Sequence, residues 1–256
     1  MTTTVNEPAR VAARSRTEYF YVYMAIACAV VAFLGFAPTY WLPLAEGTFK
    51  GVRPLVHIHG IVFFSWTLFF VLQTWLAASG RLRRHRAMGL LGISLATAMT
   101  LFGTMAAINL MASSAALGFA AEGKAFAIVP LGGILFFAIT IAVAIANRRR
   151  PEVHQRLMLL AAISILDAAI ARWFLTFLAP PGLAGPPPVF AGTPPALVAL
   201  LLLVVAMVFD WRTRGRPHPV YWLGGGAYLA LKLIEAPLSG SGAWHSIASA
   251  VLALAG

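Results

Sequence analysis

The sequence is short of charged residues and of cysteine, and both shortages narrow what the chain can be. Charged residues make up 11% of its 256 positions, whereas a typical soluble domain carries about a quarter. A single cysteine, Cys28, excludes a disulfide framework. The alternation of apolar and polar residues that marks a membrane β-barrel is missing as well. These absences exclude an ordinary soluble domain, a disulfide-stabilised fold and a barrel.

Motifs of two common enzyme classes are also missing. No phosphate-binding loop of the form G-x-x-x-x-G-K occurs, although Gly224, Gly225 and Gly226 follow one another. No combination of nucleophile and base typical of hydrolases stands out around the serines. The sequence therefore points away from nucleotide-binding enzymes and hydrolases.

The chain contains long hydrophobic stretches instead. Hydrophobic residues make up 60% of it, and a membrane-crossing helix needs roughly 20 apolar residues. We predict an all-α polytopic membrane helix bundle with seven transmembrane helices, at 19–37, 54–79, 87–111, 125–147, 157–179, 194–211 and 219–237. The last apolar segment, 244–255, is too short to cross, and we expect a C-terminal helix that either packs back on the bundle or lies in the membrane interface. The alternative is that it crosses as an eighth, thin span.

The positive charge lies on alternate connections of this predicted bundle, and the formal net charge is +11. Arginines occupy the N-terminal tail and the second, fourth and sixth connections: Arg10, Arg14, Arg16, Arg81, Arg83, Arg84, Arg86, Arg148, Arg149, Arg150, Arg156, Arg212, Arg214 and Arg216. The other connections hold only Lys50, Arg53 and Lys124. This positive-inside bias predicts a cytoplasmic N-terminus and an outer C-terminus. We expect the arginines to bind anionic lipids. Without interleaved aromatic residues, they do not predict a nucleic-acid surface.

The chain divides into a tail and one membrane domain. Residues 1–18 are predicted to be a disordered, basic, cytoplasmic tail, and 19–256 a single transmembrane helical domain. The first apolar run is long and lacks a small-residue cleavage site, which favours an uncleaved signal anchor. We therefore expect a multi-pass protein of the cell inner (plasma) membrane, with the lipid bilayer as its first partner.

A short internal repeat links two pairs of predicted helices. The segment GIVFFSW (60–66) is followed by a basic loop and by HRAMGLLGIS (85–94), and GILFFAI (133–139) is followed by a basic loop and by HQRLMLLAAIS (154–164). Each unit is a helix, a basic turn and a histidine that opens the next helix. This pattern predicts two related hairpins, spans two and three and spans four and five, which together form a four-helix core.

Ionisable and polar residues inside the predicted spans form a candidate buried polar cluster. Its members are Asn109, Asp167, Arg172, Lys232 and Glu235. Such residues are costly in a bilayer and usually face the bundle interior or water. With the predicted orientation, Asp167 lies near mid-membrane and the others in the outer half. We expect spans two, three, five and seven to surround an outward-facing polar cavity, which spans one, four and six shield from lipid.

Asp167 is the member that most needs a partner, because an isolated carboxylate is unstable at that depth. Arg172 is five residues further along the same helix and points away from it, so a salt bridge to Lys232 on another helix is the better prediction. Two structural alternatives stay open. Lys232 and Glu235 are three residues apart and can pair along one helix face. Arg172 can extend its charge to the membrane surface.

Three histidines on the outer side are the candidate cofactor and metal ligands: His57, His59 and His245. Imidazole suits zinc, copper and iron, including haem iron. Residues 57 and 59 project from nearly opposite faces of a regular helix, so both bind one metal only if the helix start is irregular. The alternative is that each is an ordinary hydrogen-bonded polar group. His85, His154 and His218 lie on the inner side, where packing, headgroup contact and capping are expected. The alternative is a second haem or metal site among them.

Several motifs carry a resemblance. LVHIHGIVFFSW (55–66), GRLRRHRAMG (80–89), PEVHQRLMLLAAISILDAAIARWF (151–174) and GRPHPVYWLGG (215–225) resemble a family of predicted bacterial inner-membrane proteins of unknown function. A looser similarity to b-type dihaem membrane cytochromes implies haem bound by histidines on a four-helix core. Those cytochromes commonly carry a haem ligand near each end of one helix, and no helix here has that arrangement.

Three functions fit these observations; the first is our prediction and the other two are alternatives. The first is a membrane redox protein that binds haem or a transition metal through the outer histidines. The second is an accessory or structural subunit of a larger membrane complex, which would bind other membrane subunits or further copies of itself. The third is a transporter of a small molecule or proton that uses the buried polar cluster. A seven-span retinal protein is less favoured because span three carries no carboxylate as counter-ion to Lys232.

Overall fold

Every regular element in the part of the chain that the structure describes is helical. The computed structural model describes residues 7–48, 54–179, 182 and 185–253, and only the backbone of 7–18. The helices are α1 (Glu7–Gly35), α2 (Leu42–Ala45), α3 (Pro54–Ala78), α4 (Leu82–Ala87), α5 (Gly89–Ala116), α6 (Ala120–Phe126), α7 (Ile128–Ala146), α8 (Pro151–Ser164), α9 (Asp167–Phe177), α10 (Thr193–Arg214), α11 (Pro219–Ser239) and α12 (Gly242–Ala253). A π-helix spans Ala37–Trp41 and a 3-10 helix spans Val189–Gly192.

Five of the described helical segments are long and apolar enough to cross a membrane. They are Pro54–Ala78, Gly89–Ala116, Ala120–Ala146, Pro151–Phe177 and Val189–Arg214. The number rises to six if Tyr19–Gly35 and Ala37–Ala45, which meet at a bend of 42°, form one span. The helical class and the presence of several membrane-length apolar helices are thus as predicted from the sequence.

Two boundaries differ from the predictions. Helix α1 begins at Glu7, so the tail that was predicted to be disordered is helical from that residue onward. No glycine or proline interrupts 9–34, which lets the helix of the first apolar run continue toward the N-terminus. The predicted fifth span is two helices, α8 and α9, separated by Ile165 and Leu166.

Helix α8 lies at the centre of the molecule. It packs against α1, α7, α10 and α11, and its residues 159–164 are completely or almost completely buried. Helices α3, α5, α7 and α8 pack in that order, so the predicted hairpins are neighbours, but α1, α10 and α11 complete the core around α8. The exterior is apolar: Leu101, Leu135, Leu201 and Leu223 are among its exposed side chains. An apolar exterior of this extent suits contact with lipid chains.

Small residues allow two of these helices to approach closely. A Cβ atom at Gly35 would lie 2.6 Å from the Cβ and the carbonyl oxygen of Ala169, so α1 and α9 meet backbone to backbone.

Hydroxyl groups in the apolar helices bind their own backbone, as in the 3.0 Å bond from Thr100 Oγ1 to the carbonyl of Ala96. These local bonds satisfy polar groups where no water is available.

The C-terminal helix α12 packs back on the bundle. The Trp244 indole donates to the carbonyl of Lys124 at 2.8 Å, and the Lys124 ammonium donates to the Ser249 hydroxyl at 2.9 Å. Its 12 residues extend about 18 Å, well short of a bilayer core.

Candidate functional site

A helix break within a membrane-length segment creates the most polar interior site. Helix α8 ends at Ser164 and α9 begins at Asp167, so backbone groups at the break lose their helical partners. The backbone N–H of Ala168 donates to Asp167 Oδ1 at 2.7 Å. The Tyr228 hydroxyl, from α11, donates to the carbonyl of Ser164 at 2.9 Å. The break is therefore stabilised by the Asp167 side chain of α9 and the Tyr228 side chain of α11.

Lys232 connects the break to α11. Its ammonium nitrogen lies 3.0 Å from Asp167 Oδ2 and 2.9 Å from Glu235 Oε1, and its side chain has 0% exposure. The Tyr228 hydroxyl is 3.1 Å from the same Asp167 oxygen. We call Asp167, Tyr228, Lys232 and Glu235 the ion cluster. The predicted pairing of Asp167 with Lys232 and the alternative pairing of Lys232 with Glu235 are both present.

The ion cluster follows from the spacing of residues on α11. Tyr228, Lys232 and Glu235 are four and three residues apart, so they share one face of the helix. That face meets α8 and α7. Sequence reasoning missed Tyr228, although its position one turn before Lys232 was a usable signal.

Helix α7 lies directly against the cluster, although span four was predicted only to shield it. A Cβ atom at Gly132 would lie 3.0 Å from Glu235 Oε1, and one at Gly133 would lie 3.9 Å from the Lys232 ammonium. The absence of side chains at these two positions makes room for the charged groups. The α10 helix also reaches the cluster, because the Thr193 hydroxyl donates to the carbonyl of Lys232 at 3.3 Å.

A second group of polar residues lies where the π-helix meets α3 and α9. The Tyr40 hydroxyl and His57 Nδ1 are 3.0 Å apart. The Arg172 guanidinium carbon lies 5.3 Å from the centre of the Phe36 ring, and its charge is close enough to act on His59. Thus Arg172 does not join the ion cluster, and its side chain lies near His59, one of the predicted outer histidines.

The outer histidines contact different elements. His57 contacts the π-helix through Tyr40, whereas the ring of His59 lies 4.1 Å from that of Phe63 and is bonded to the backbone of Phe102 on α5. His245 lies on α12, which packs against α5, α6 and α11. In the described ranges, no three His, Cys, Asp or Glu side chains come together as a metal-binding group. The metal site predicted from these histidines stays a prediction. Asn109, half-buried on α5, is likewise a prediction as a site residue.

A buried ion pair that sequence reasoning missed lies at the opposite end of the bundle. Asp210 Oδ2 accepts from Arg156 Nε at 2.8 Å, and the two side chains have only 2% and 1% exposure. The same carboxylate accepts from the backbone N–H of His218 at 3.1 Å. We call Arg156 and Asp210 the inner ion pair. In the sequence Arg156 belongs to a basic connection, and Asp210 lies just before another one, so neither residue was recognised as part of a buried pair.

The inner histidines have structural partners, as predicted. His218 caps α11, where its Nδ1 accepts from the backbone N–H of Val220 at 3.2 Å. Burial, together with the positive charges of Arg156 and Arg214, lowers the pKa of His218. Burial also lowers the pKa of His85, which lies in the connection helix α4.

The two histidines of the internal repeat form a pair. His85 Nδ1 is 3.3 Å from the carbonyl of Gln73, and His154 Nδ1 is 2.8 Å from that of Ala144. Each histidine is thus bonded to the preceding helix of its own hairpin, and their ring centres are 6.4 Å apart. The repeat seen in the sequence therefore corresponds to a repeated hydrogen bond.

Comparison with known proteins gives no match to this chain: no family model, no curated protein and no solved structure is similar to it. The site must therefore be interpreted from its own chemistry.

Proposed function

We propose that this chain is a multi-pass membrane carrier that couples passage of a small solute to the binding and release of a proton, and that the ion cluster is the proton site. The observation that carries the proposal is the buried Lys232 ammonium, held between carboxylates of α9 and α11 where a membrane-length segment breaks. Broken helices at ion and substrate sites recur in membrane carriers. Titratable groups at such depth mark proton relays and ion pathways.

Charge balance supports a proton at this site. With both carboxylates and the ammonium ionised, the cluster has a surplus negative charge, which is costly away from water. One bound proton makes the cluster neutral. The Asp167 carboxylate already accepts hydrogen bonds from Lys232, Tyr228 and the Ala168 N–H. It also lies at the positive N-terminal end of α9. Within the described part of the chain, the Glu235 carboxylate accepts a hydrogen bond from Lys232 alone. We therefore assign the exchangeable proton to Glu235.

The state of Glu235 alters the connection between two helices. When Glu235 is ionised, Lys232 is shared between it and Asp167. When Glu235 is protonated, its attraction for Lys232 falls and the ammonium pairs mainly with Asp167 across the break. A proton thus changes the balance between a contact within α11 and a contact from α11 to α9. This balance is the proposed link between protonation and movement of helices.

Infrared titration tests the proton site directly. We expect the purified protein to show the carbonyl band of a buried carboxylic acid that grows as the pH falls, and Glu235→Gln to remove that band. Glu152→Gln is the matched control, because Glu152 is 60% exposed and pairs with Arg214 at the surface. A band that persists in the Glu235→Gln variant would place the proton elsewhere.

Proteoliposomes test the carrier. Vesicles that contain a pH-sensitive dye are exposed to candidate solutes, and cotransport acidifies their lumen. We expect Asp167→Asn and Glu235→Gln to abolish the solute-dependent signal, and Glu152→Gln to retain it. Solute uptake that is unchanged by Asp167→Asn would sink the proposal.

We further propose the full seven-span topology, with a cytoplasmic N-terminus and location in the inner membrane. The alternation of basic connections supports the orientation. Helix α11 has 21 residues, enough for about 31 Å of helix. Its two charged residues, Lys232 and Glu235, are paired and buried in the bundle rather than exposed to lipid, so they do not prevent it from crossing.

A metal or haem centre with a redox role is the second candidate function, and the pair formed by His85 and His154 favours it. When histidine Nδ1 is bonded to a carbonyl, Nε2 is left to bind a metal. Two imidazoles bound on opposite sides of one metal, each at roughly 2.0–2.1 Å, have ring centres about 6.4 Å apart, and the observed separation is 6.4 Å. Elemental analysis for iron, copper and zinc tests this candidate. Stoichiometric metal that is lost in a His85→Ala, His154→Ala double variant would support it.

A further inference from the structure

We propose that the region between the π-helix, α3 and α9 binds a small organic carboxylate with an apolar body, and that Arg172 holds the carboxylate group. We call this region the outer aromatic site; it consists of Phe33, Phe36, Trp41, His59, Phe64 and Arg172. Binding follows from the geometry of the site alone. The role of this carboxylate as the transported solute rests on the proposed function.

Arg172 has a charge that the described residues do not balance. All the carboxylates in the described ion pairs belong to other cations: Asp167 and Glu235 pair with Lys232, Asp210 pairs with Arg156, and Glu152 pairs with Arg214. The guanidinium carbon lies over the ring of Phe36, 5.3 Å from its centre. A guanidinium placed among helices in this way is costly without an anion. The missing group is one that accepts hydrogen bonds and carries negative charge.

Aromatic rings form the wall next to this guanidinium. The ring of Phe64 lies 4.6 Å from that of Phe33, 5.7 Å from that of Phe36 and 4.8 Å from that of Trp41. Phe36 therefore contacts both Arg172 and the rest of this wall. Ligand sites commonly combine such an apolar wall with a few polar groups that fix orientation.

Two buried nitrogen atoms on the π-helix and on α3 lack hydrogen-bond partners among the described residues. Trp41 Nε1 and His59 Nδ1 are buried, and neither has a hydrogen-bond partner in the part of the chain that the structure describes. Buried polar atoms are nearly always bonded, so each such case needs an explanation. Trp41 belongs to the π-helix, a rare conformation that is frequent at functional sites. A bound carboxylate explains the unpartnered indole N–H of Trp41 and the charge of Arg172 together.

The donors indicate the chemical class of this molecule. An arginine fork and an indole N–H donate hydrogen bonds and cannot accept them, which excludes a cationic group as the anchor. A single arginine matches the two oxygens of one carboxylate. The aromatic wall favours an apolar or aromatic body next to that group. Arg172 is five residues after Asp167 on α9, about 7.5 Å along the helix, so the anion would bind to the helix whose contact with Lys232 changes when Glu235 is protonated.

Calorimetry on the detergent-purified protein tests this inference with benzoate and its neutral isostere benzamide. We expect benzoate to bind and benzamide to bind at least about 10-fold more weakly, because only benzoate makes a charge-assisted contact. Arg172→Gln should reduce benzoate affinity roughly 10- to 100-fold while leaving benzamide unchanged. Arg172→Lys should restore part of it, and Trp41→Phe, which keeps the ring and removes the N–H, should cause a smaller loss.

The control variant is Arg212→Gln, since Arg212 is exposed near the end of α10; it should bind benzoate as the parent protein does. Equal affinity for benzoate and benzamide, or unchanged affinity in Arg172→Gln, would overturn the inference. The infrared band of Glu235 is read separately. If benzoate binding depends on Arg172 but that band is absent, the anion site stands and the proton carrier fails. If the band is present and benzoate does not bind, the carrier stands and this inference fails.

Discussion

At the scale of single residues, the inner ion pair is the interaction whose loss should cost the most stability. Asp210→Asn keeps an acceptor for the His218 backbone but leaves the Arg156 guanidinium without a counter-charge in a buried position. We expect the free energy of unfolding to fall by about 3–5 kcal/mol, the usual cost of breaking a buried pair. Titration with a denaturing detergent measures this change.

The matched control for that variant is the surface pair of Glu152 and Arg214. These side chains lie 2.7 Å apart but are 60% and 36% exposed. Water and salt screen such a pair, so Glu152→Gln should cost less than about 1 kcal/mol. Similar losses in the two variants would show that burial does not decide the strength of these pairs.

A second prediction at this scale concerns pH. The pKa of His218 is lowered in the folded protein, mainly by burial, so the unfolded chain binds a proton more readily. Its contribution to stability is therefore complete above the unfolded pKa of about 6.5. That contribution is lost as the pH falls from there through the folded pKa. Protonation also removes the acceptor that caps Val220. Thermal unfolding between pH 8 and pH 5 should show this loss.

The control is His218→Asn, because asparagine accepts a hydrogen bond at a helix start without titrating. The difference between the two proteins isolates His218 from His85, whose pKa is lowered as well. Parallel curves of thermal stability against pH for the parent and His218→Asn would contradict the prediction.

How far single residues could be predicted depends on whether their signal is local. The pairing of Asp167 with Lys232 could be inferred, since each is a charged residue deep in an apolar run and Asp167 needs a cation from another helix. The inner ion pair could not, because both partners lie beside clusters of arginines that hide them. The proximity of Trp41, His59 and Arg172 depends on how the π-helix, α3 and α9 pack, which no local sequence pattern encodes.

At the scale of helices, the close approach of α7 to α11 should control the ion cluster. In Gly132→Ala the new methyl group would meet Glu235 Oε1 at 3.0 Å and Leu231 at 3.5 Å. Glu235 must then shift relative to Lys232. We expect the pH midpoint of the Glu235 infrared band to change and solute-dependent proton uptake to fall several-fold, because interiors have little room to relax.

Gly226→Ala is the control for that prediction. Gly226 lies on α11, and a Cβ atom at this position would meet nothing within 4 Å. Alanine also favours the helix by up to about 1 kcal/mol over glycine, so the variant should be as stable as the parent or more so, with the same midpoint. A changed midpoint in Gly226→Ala would mean that α11 responds to any substitution.

The break between α8 and α9 shows why helix boundaries were harder to predict than helices. Residues 157–174 contain no glycine or proline, and their apolar pattern predicts one continuous helix. The break is stabilised by the Tyr228 hydroxyl on Ser164 and by Lys232 on Asp167. Both partners come from a helix more than sixty residues further along the chain. The position of the break therefore depends on tertiary contacts and not on the local sequence.

At the scale of the whole molecule, the number of spans and their orientation can be tested by labelling. With Cys28 changed to Ser, single cysteines are introduced as Gly80→Cys, Gly118→Cys, Gly215→Cys and Ser241→Cys, each in a connection between helices. The seven-span topology predicts that a membrane-impermeant maleimide labels positions 118 and 241 on intact cells and leaves 80 and 215 unlabelled. Equal labelling at 215 and 241 would mean that α11 does not cross.

The general class of the molecule was the easiest property to predict. The apolar runs follow from composition, and a helix is the form in which a segment satisfies its own backbone in lipid. The packing order was harder: α8 at the centre, with α1, α10 and α11 around it, is not visible in the repeat that links the two hairpins. Arrangement in space depends on side-chain fit between distant segments.

The ion cluster also has a consequence for biosynthesis. Asp167 leaves the ribosome more than sixty residues before Lys232, so the segment of α8 and α9 is made before its ammonium partner exists. During that interval Asp167 enters the bilayer either as the neutral acid or beside the insertion machinery. A nascent chain that stops before α11 lacks Tyr228 and Lys232, and its α8 and α9 should be recognised as unassembled by membrane quality control. The contacts that stabilise the break between α8 and α9 thus form only after α11 has been synthesised.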